Sequence, residues 1–174
     1  LYASPRSAGR TVPFGGGAVT AEALPEDGDL GADVVFSSAG GGLSKTHARA
    51  WAAHAAVVID NTSAWRMDPE TPLVVPEINV EAAHDHHGIV ANPNCSTIIA
   101  LMALAPLHRA FGLTRATVAT YQAVSGAGAK GIEELTRLTR AALDGADAAP
   151  EAFDHPIAFN LFSHDSDVGD DGAV

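Results

Sequence analysis

The stretch from Asp33 to Asp60 limits the fold more than any other part of the chain. Asp33-Val34-Val35-Phe36-Ser37 is a short apolar, β-branched run of the kind that forms a fully buried strand. A Gly40-Gly41-Gly42 turn follows, and Ser44 is placed to cap a helix running to about Ala55. Ala56-Val57-Val58-Ile59-Asp60 is then a second strand, ending in the polar run Asn61-Thr62-Ser63. Strand, helix and strand in that order are the signature of a parallel βαβ unit. The chain reads as an α/β protein built on a parallel sheet with helices.

The alternation continues downstream. After the turn at Asp68-Pro69, Leu73-Val74-Val75 is a short strand stopped by Pro76, and Gly88-Ile89-Val90-Ala91 is another. From Ser96 to Phe111 the apolar residues Ile98, Leu101, Met102, Ala105 and Leu107 recur near the helical period, with Gly112 as the stop. Pro106 is expected to kink or divide that helix. Thr114 to Val124 reads as a long strand and Gly126 to Gly131 as a Gly-rich turn. Ile132, Leu135, Leu138 and Leu143 then form the apolar face of a helix ending near Asp144-Gly145. Leu1-Tyr2-Ala3 resembles the tail of a strand entered halfway, and the acidic Asp165–Val174 stretch stops without a closing element. A cut through a longer protein is the expectation, with a disordered acidic tail as the alternative.

Charge and cysteine content narrow the partners. Ten basic against twenty-one acidic residues give a net charge of −11, which opposes a nucleic-acid backbone or an anionic membrane as the main partner. No apolar run approaches the ~20 residues of a membrane span. With one cysteine the 174 residues form no internal disulfide, so a reducing cytoplasm is the expected compartment.

That cysteine, Cys95, is the sharpest chemical signal. It follows a buried strand and a Pro turn and stands at the start of a helix, where unpaired backbone N–H groups and the helix dipole favour a thiolate. A strand-to-helix junction at the carboxyl end of a parallel sheet is also where α/β folds place ligands. The alternative is a buried, inert thiol. Gly126-Ala127-Gly128-Ala129-Lys130-Gly131 matches G-x-G-x-x-G in wording. No acidic residue closes a second strand at the required distance, so a turn that lets backbone approach a ligand fits better than the full dinucleotide fingerprint. Arg6, in Ser4-Pro5-Arg6-Ser7, is a candidate for a 2′-phosphate, or else an ordinary surface arginine. Arg66 is a candidate anion clamp with a solvated salt-bridge partner as its plainer reading. His84-Asp85-His86-His87 has no supporting ligand pair and reads as a solvated loop, so no metal is expected. His47 and His54 are too far apart on one helix face for a two-ligand site, and a helix C-terminus explains His108.

Taken together, six segments resemble the bacterial aspartate-semialdehyde dehydrogenases. They are Ala3-Ser4-Pro5-Arg6-Ser7-Ala8-Gly9, Ser38-Ala39-Gly40-Gly41, Val58 to Met67, Val75-Pro76-Glu77-Ile78-Asn79, Ala91 to Thr97, and Thr120 to Gly128. They occur in the family's order from end to end, and Asn-Pro-Asn-Cys-Ser-Thr and Tyr-Gln-Ala-Val-Ser-Gly are the most diagnostic.

The resemblance implies a set of roles. Cys95 matches the nucleophile that attacks the aldehyde carbon, and Gln122 the glutamine that positions substrate beside it. Arg66 matches the phosphate-binding arginine, with Asn94 lining the same pocket. Arg6 and Ser7 match the adenosine 2′-phosphate site, which implies NADP; Ala39 and Gly40 match the loop under the cofactor, and Ser125 and Gly126 the turn near the nicotinamide. The implied substrates are aspartyl phosphate, or aspartate semialdehyde with phosphate, and the implied assembly is a homodimer or homotetramer. The implied fold is an incomplete Rossmann-type parallel sheet with helices, an NADP-binding domain over 1–93 lacking its first βα unit, followed over 94–174 by the start of an α+β catalytic and dimerisation domain.

The family's first phosphate loop would lie before Leu1, and its catalytic histidine and carboxylate-binding arginine beyond Val174. The expectation is therefore that this chain by itself is inactive. His155 falls in a family segment without a catalytic role. Two other functions stay open: an acyl-phosphate reductase of the N-acetylglutamyl-phosphate type, whose nucleophile context differs from Asn94-Cys95-Ser96, and a non-catalytic paralogue acting as a subunit partner.

Overall fold

The computed structural model describes residues 1–163, so the acidic Asp165–Val174 stretch lies outside the described residues. The chain divides into two compact units, Leu1–Thr117 and Val118–Val174.

The first unit is organised by the expected parallel sheet. A short parallel pair, β1 (Tyr2–Ala3) and β4 (Glu22–Ala23), flanks an antiparallel hairpin of β2 (Thr11–Phe14) and β3 (Gly17–Thr20). The hairpin had no counterpart among the expected elements. Gly15 and Gly16 take φ values of 58° and 80° at its tip, which is what a two-residue hairpin turn demands of both positions. Next come β5 (Val34–Ser37), β6 (Val57–Asp60) and β7 (Ile89–Ala91), parallel and in that order. Leu73 adds a single parallel bridge to Ala91, so the expected strand at Leu73–Val75 is reduced to an edge contact.

Helix α1 (Gly41–His54) carries the chain from β5 to β6 and buries Ala48 and Trp51. Together with Val35, Val58, Trp65, Ile89 and Ala91 they make the core. Gly40, at φ 101°, is its N-cap; Ser44, expected there, is instead a fully buried residue within the helix. The correction has a physical cause, because the Ser44 hydroxyl is committed to the core: it donates to Asp60 and accepts from Trp65 Nε1 at 2.9 Å.

Between β6 and β7 the chain makes a short helix α2 (Pro76–Asn79) and a 3-10 turn (Val80–Asp85). Helix α3 (Cys95–Phe111) then closes the unit, its Arg109 donating to the Glu77 carbonyl at 3.0 Å. Pro106 lies inside α3 without dividing it. The proline leaves one carbonyl without its intrahelical donor, but the turns on either side remain bonded. At its end His108 accepts from the Leu113 N–H at 3.0 Å, and Gly112 takes φ 72°.

Thr114 to Val124 does not form the expected strand. The segment is exposed, with Val118 and Tyr121 at 59% and 79%, and pairs with no strand among the described residues. β-branched content makes an extended conformation favourable but supplies no partner edge, and a strand needs one.

In the second unit a 3-10 turn (Val124–Ala127) leads into α4 (Gly128–Leu143). The helix buries Gly131, Glu134 and Leu138, whereas Ile132 and Leu143 of the expected apolar face are exposed. Glu134 is inside because its Oε2 accepts from the backbone N–H groups of Glu151 (2.8 Å) and Ala152, pinning the following loop to the helix.

Candidate active site

The sheet register sets the site. Ser37, Asp60 and Ala91 are the last residues of β5, β6 and β7 and lie side by side. The next residue of each strand, Ser38, Asn61 and Asn92, therefore emerges at the carboxyl edge, where α/β sheets bind ligands. Asn61 Nδ2 donates to Ser38 Oγ at 3.2 Å, and Asn92 Nδ2 donates to Asn61 Oδ1 at 2.6 Å. A polar row thus crosses all three strand ends.

Beneath it sits a buried carboxylate. Asp60 is fully buried and accepts from Ser44 Oγ, from Thr62 N–H at 2.7 Å and from Thr62 Oγ1 at 2.6 Å. Hydrogen bonds of this kind are what allow a charged group to stay in a core. They also fix the turn at Thr62, whose Oγ1 accepts from Ala64 N–H at 3.1 Å. Trp65, held through Ser44, carries Arg49 over its ring at 4.9 Å.

That turn delivers Arg66. Its Nε donates to the Asn92 carbonyl at 2.9 Å and its Nη2 to the Asn61 carbonyl at 3.1 Å. A guanidinium has five N–H donors. Two are spent on backbone, and neither on a carboxylate, so the positive charge is oriented without being neutralised there. Its remaining donors are not used by either of these bonds.

Three residues beyond Asn92 is Cys95. It is exposed, and it is the first residue of α3, one position earlier than the expected start. Asn94 caps the helix, its Oδ1 accepting from Ser96 N–H at 2.9 Å and lying 3.9 Å from Cys95 Sγ. Exposure excludes the buried, inert reading.

The candidate cofactor residues of this unit also share a face. Ser7 and Ala39 line a cavity of about 560 Å³, together with Tyr2, Ser4, Leu30 and Ser38. Arg6 is exposed in the turn over residues 5–9, which Ser4 closes by accepting from the N–H groups of Ser7 and Ala8. Gly40 leads into α1, whose N-terminus has no side-chain cap. The cavity is largely apolar, and Leu43 of the first turn of α1 also lines it.

Gln122, Ser125 and Gly126 belong to the second unit. Ser125 and Gly126 stand exposed in the 3-10 turn ahead of α4. The amide end of Gln122 occupies the space a Cβ on Gly126 would fill. Gly131, last of the G-x-G-x-x-G string, is instead buried in α4; an added Cβ there would come within 3.2 Å of Phe153 and of Val124. No strand precedes the string among the described residues, so the full dinucleotide fingerprint is excluded, and its final glycine serves packing.

In the histidine-rich loop, His84 lies 3.7 Å from Glu81, and His86 Nδ1 accepts from Gly88 N–H. Asn61, Asp60, Ser44 and Asn92 were not singled out by the sequence. The available signal was a polar residue directly after each buried strand.

Comparison with known proteins points the same way. Residues 1–86 match the model of the semialdehyde dehydrogenase NAD-binding domain, and residues 104–173 that of the semialdehyde dehydrogenase dimerisation domain. An aspartate-semialdehyde dehydrogenase of Synechocystis sp. is 49% identical over 168 residues, which is 97% of this chain and 50% of that protein. One from Aquifex aeolicus is 49% identical over 99% of this chain and 52% of its own length. The chain spans about half the length of the curated relatives it matches. Among solved structures, aspartate semialdehyde dehydrogenase II from Vibrio cholerae complexed with ASA superimposes with a TM-score of 0.86 at 43% identity, over 99% of this chain and 52% of that one. The Candida albicans enzyme with NADP gives 0.52 at 26%, over 65% of this chain and 39% of that one.

Proposed function

Because this chain belongs to the semialdehyde dehydrogenase family, with a Rossmann-type NAD-binding domain, we propose that it serves the interconversion of aspartyl phosphate and aspartate semialdehyde with NADP. The observation that carries this reading is the pairing of Arg66 with the loop that presents Cys95. The clamp holds the Asn92 carbonyl, and the exposed thiol starts the helix three residues later.

In the biosynthetic direction the Cys95 thiolate attacks the acyl carbon of aspartyl phosphate. The C–O bond to phosphate breaks, phosphate leaves toward Arg66, and a thioester remains on Cys95. Arg66 stabilises the charge of the departing group with donors already oriented by Asn61 and Asn92. A nicotinamide cofactor held by Ala39, Gly40, Ser125 and Gly126 would supply the hydride that reduces the acyl carbon. Collapse of the resulting hemithioacetal returns the thiolate and releases the aldehyde. Asn94, beside the sulfur, orients the thiol, and Gln122 holds the substrate carbonyl.

Arg6 and Ser7 are assigned to the 2′-phosphate, Ala39 and Gly40 to the cofactor, and Ser125 and Gly126 to its nicotinamide end. The catalytic and dimerisation part is taken to begin at residue 94, within a homodimer or homotetramer. A cytoplasmic enzyme of lysine, methionine and threonine synthesis, including the diaminopimelate branch, follows from this chemistry.

The test is a phosphate-dependent reduction of NADP⁺ by aspartate semialdehyde, in the protein that carries these residues. Turnover that requires phosphate and disappears in Cys95→Ser is the expected result. Phosphate-independent oxidation, or full activity in Cys95→Ser, overturns the reading.

A further inference from the structure

We propose that Asn61 is a positioning residue that sets the anion affinity of Arg66 by locking three strand ends into one row, an inference that rests on the phosphate-clamp reading of Arg66. Asn61 follows β6, the middle strand, and four of its polar groups are engaged. Its N–H donates to the Ser37 carbonyl at 2.8 Å, and its own carbonyl accepts from Arg66 Nη2 at 3.1 Å. Its side chain reaches both ways across the sheet, donating to Ser38 Oγ at 3.2 Å and accepting from Asn92 Nδ2 at 2.6 Å.

The geometry matters because Arg66 rests on the backbone of two different strands' extensions. Its Nε is held by Asn92 and its Nη2 by Asn61. The guanidinium is planar and rigid, so the direction of its remaining donors depends on the offset between those two carbonyls. The Asn92 N–H bond to the Asp60 carbonyl at 2.8 Å sets the spacing of the two strand ends, and the 2.6 Å side-chain bond between Asn61 and Asn92 trims the offset of their carbonyls. Ser38 extends the same row to the residue before Ala39 and Gly40, the proposed cofactor loop. A small polar side chain without both a donor and an acceptor cannot span both neighbours, and an amide supplies one of each.

The prediction is specific to the anion. Asn61→Ala should raise both the dissociation constant and the KM for inorganic phosphate roughly three- to tenfold. The KM for aspartate semialdehyde and the unfolding midpoint should move little. Asn92→Ala should do the same. The Asn61→Ala/Asn92→Ala double variant should be no worse than the worse single variant, because each removes the same bond.

Phosphate binding is read without turnover by 31P line broadening, with Arg66→Ala as the zero. Phosphate binding within twofold of the unsubstituted protein in Asn61→Ala overturns the proposal, as do multiplying effects in the double variant. If Asn61→Ala does not fold, Asn92→Ala carries the same criterion. If the protein shows no Arg66-dependent phosphate binding, the proposal falls with the clamp. Arg66- and Asn61-dependent binding without dehydrogenase turnover would instead leave the proposal standing and remove the proposed activity.

Discussion

Arg66 Nε donates to the carbonyl oxygen of Asn92 at 2.9 Å, joining the turn after one strand to the loop that ends at Cys95. The arginine is therefore aimed by backbone and not by a carboxylate, which leaves its charge for an anion. Charge-assisted bonds contribute about 1.5–3 kcal/mol each. Arg66→Ala should raise the KM for phosphate by about ten- to a hundredfold, at ~1.4 kcal/mol per decade. Arg66→Lys should recover only part, because an ammonium cannot hold both carbonyls and a bidentate anion. A KM for NADP that rises in parallel with that for phosphate would assign Arg66 to general folding instead.

Ser44 gives a stability test of the layer beneath. Its hydroxyl is the only group between Trp65 Nε1 and the second oxygen of Asp60, and all three are buried. Ser44→Ala removes the partner of the Trp65 N–H and of one Asp60 oxygen, the other staying bonded to Thr62, at about 1–3 kcal/mol for each stranded group. The expected loss is about 2–5 kcal/mol, read from urea unfolding, with Ser44→Thr losing less because it restores the hydroxyl. A loss below ~0.5 kcal/mol would show that the network does not stiffen this unit.

Cys95 should be the sole site of fast alkylation. It is exposed and is the first residue of a helix that Asn94 caps. Iodoacetamide should modify it faster than a free thiol of pKa ~8.5. Substituting Asn94→Ala should slow that reaction, since cap loss costs about 1 kcal/mol and frays the first turn. Equal rates for the folded protein and the denatured chain would show that the helix does nothing for the sulfur.

The elements β5, α1, β6, β7 and α3 were legible because burial enforces periodicity: Val35, Ala48, Val58, Ile89 and Ala91 are all core residues. The hairpin was missed although Gly15-Gly16 carries its turn signal, because its strands are largely exposed and leave no apolar alternation. Thr114–Val124 misled for the opposite reason, since residues suited to a strand do not supply a neighbour. At the site, Cys95 was singled out by its place at a strand-to-helix junction, and Arg66 and Asn94 by the family resemblance. Asn61 and Asn92 were not, because their importance lies in register. Only the pairing of Ser37 with Asp60, and of Asp60 with Ala91, brings the residues that follow into one row.

Gly126 offers a test within the second unit. The Gln122 amide lies where a Cβ on Gly126 would be, so Gly126→Ala must push that amide aside. A long polar side chain yields readily, so the fold should survive with a change of under ~1 kcal/mol. Activity should not: a displacement of about 1 Å in a positioning group costs on the order of a hundredfold. The loss should appear in kcat with aspartate semialdehyde, and Gln122→Ala should abolish the difference between Gly126 and Ala at that position. Full activity in Gly126→Ala would mean that Gln122 has no positioning role.

Arg6 is proposed to select NADP over NAD. It is exposed in the turn after β1, whose Ser7 lines the same cavity as Ser38 and Ala39. Two serines and a guanidinium around one turn suit a phosphate monoester, because the arginine supplies parallel N–H donors and the hydroxyls adapt. NAD has a hydroxyl where NADP carries that phosphate, so the arginine contributes to one ligand and not the other. Arg6→Ala should weaken NADP by roughly ten- to a hundredfold, from about 1.5–3 kcal/mol of charge-assisted bonding, and leave NAD within about twofold. Its salt dependence should fall too, since an exposed contact is screened beyond a Debye length of about 8 Å at physiological ionic strength. Titration of both cofactors at low and high salt measures all of this. Equal losses for NADP and NAD would make Arg6 a support for the turn, and would leave the choice of cofactor to other residues.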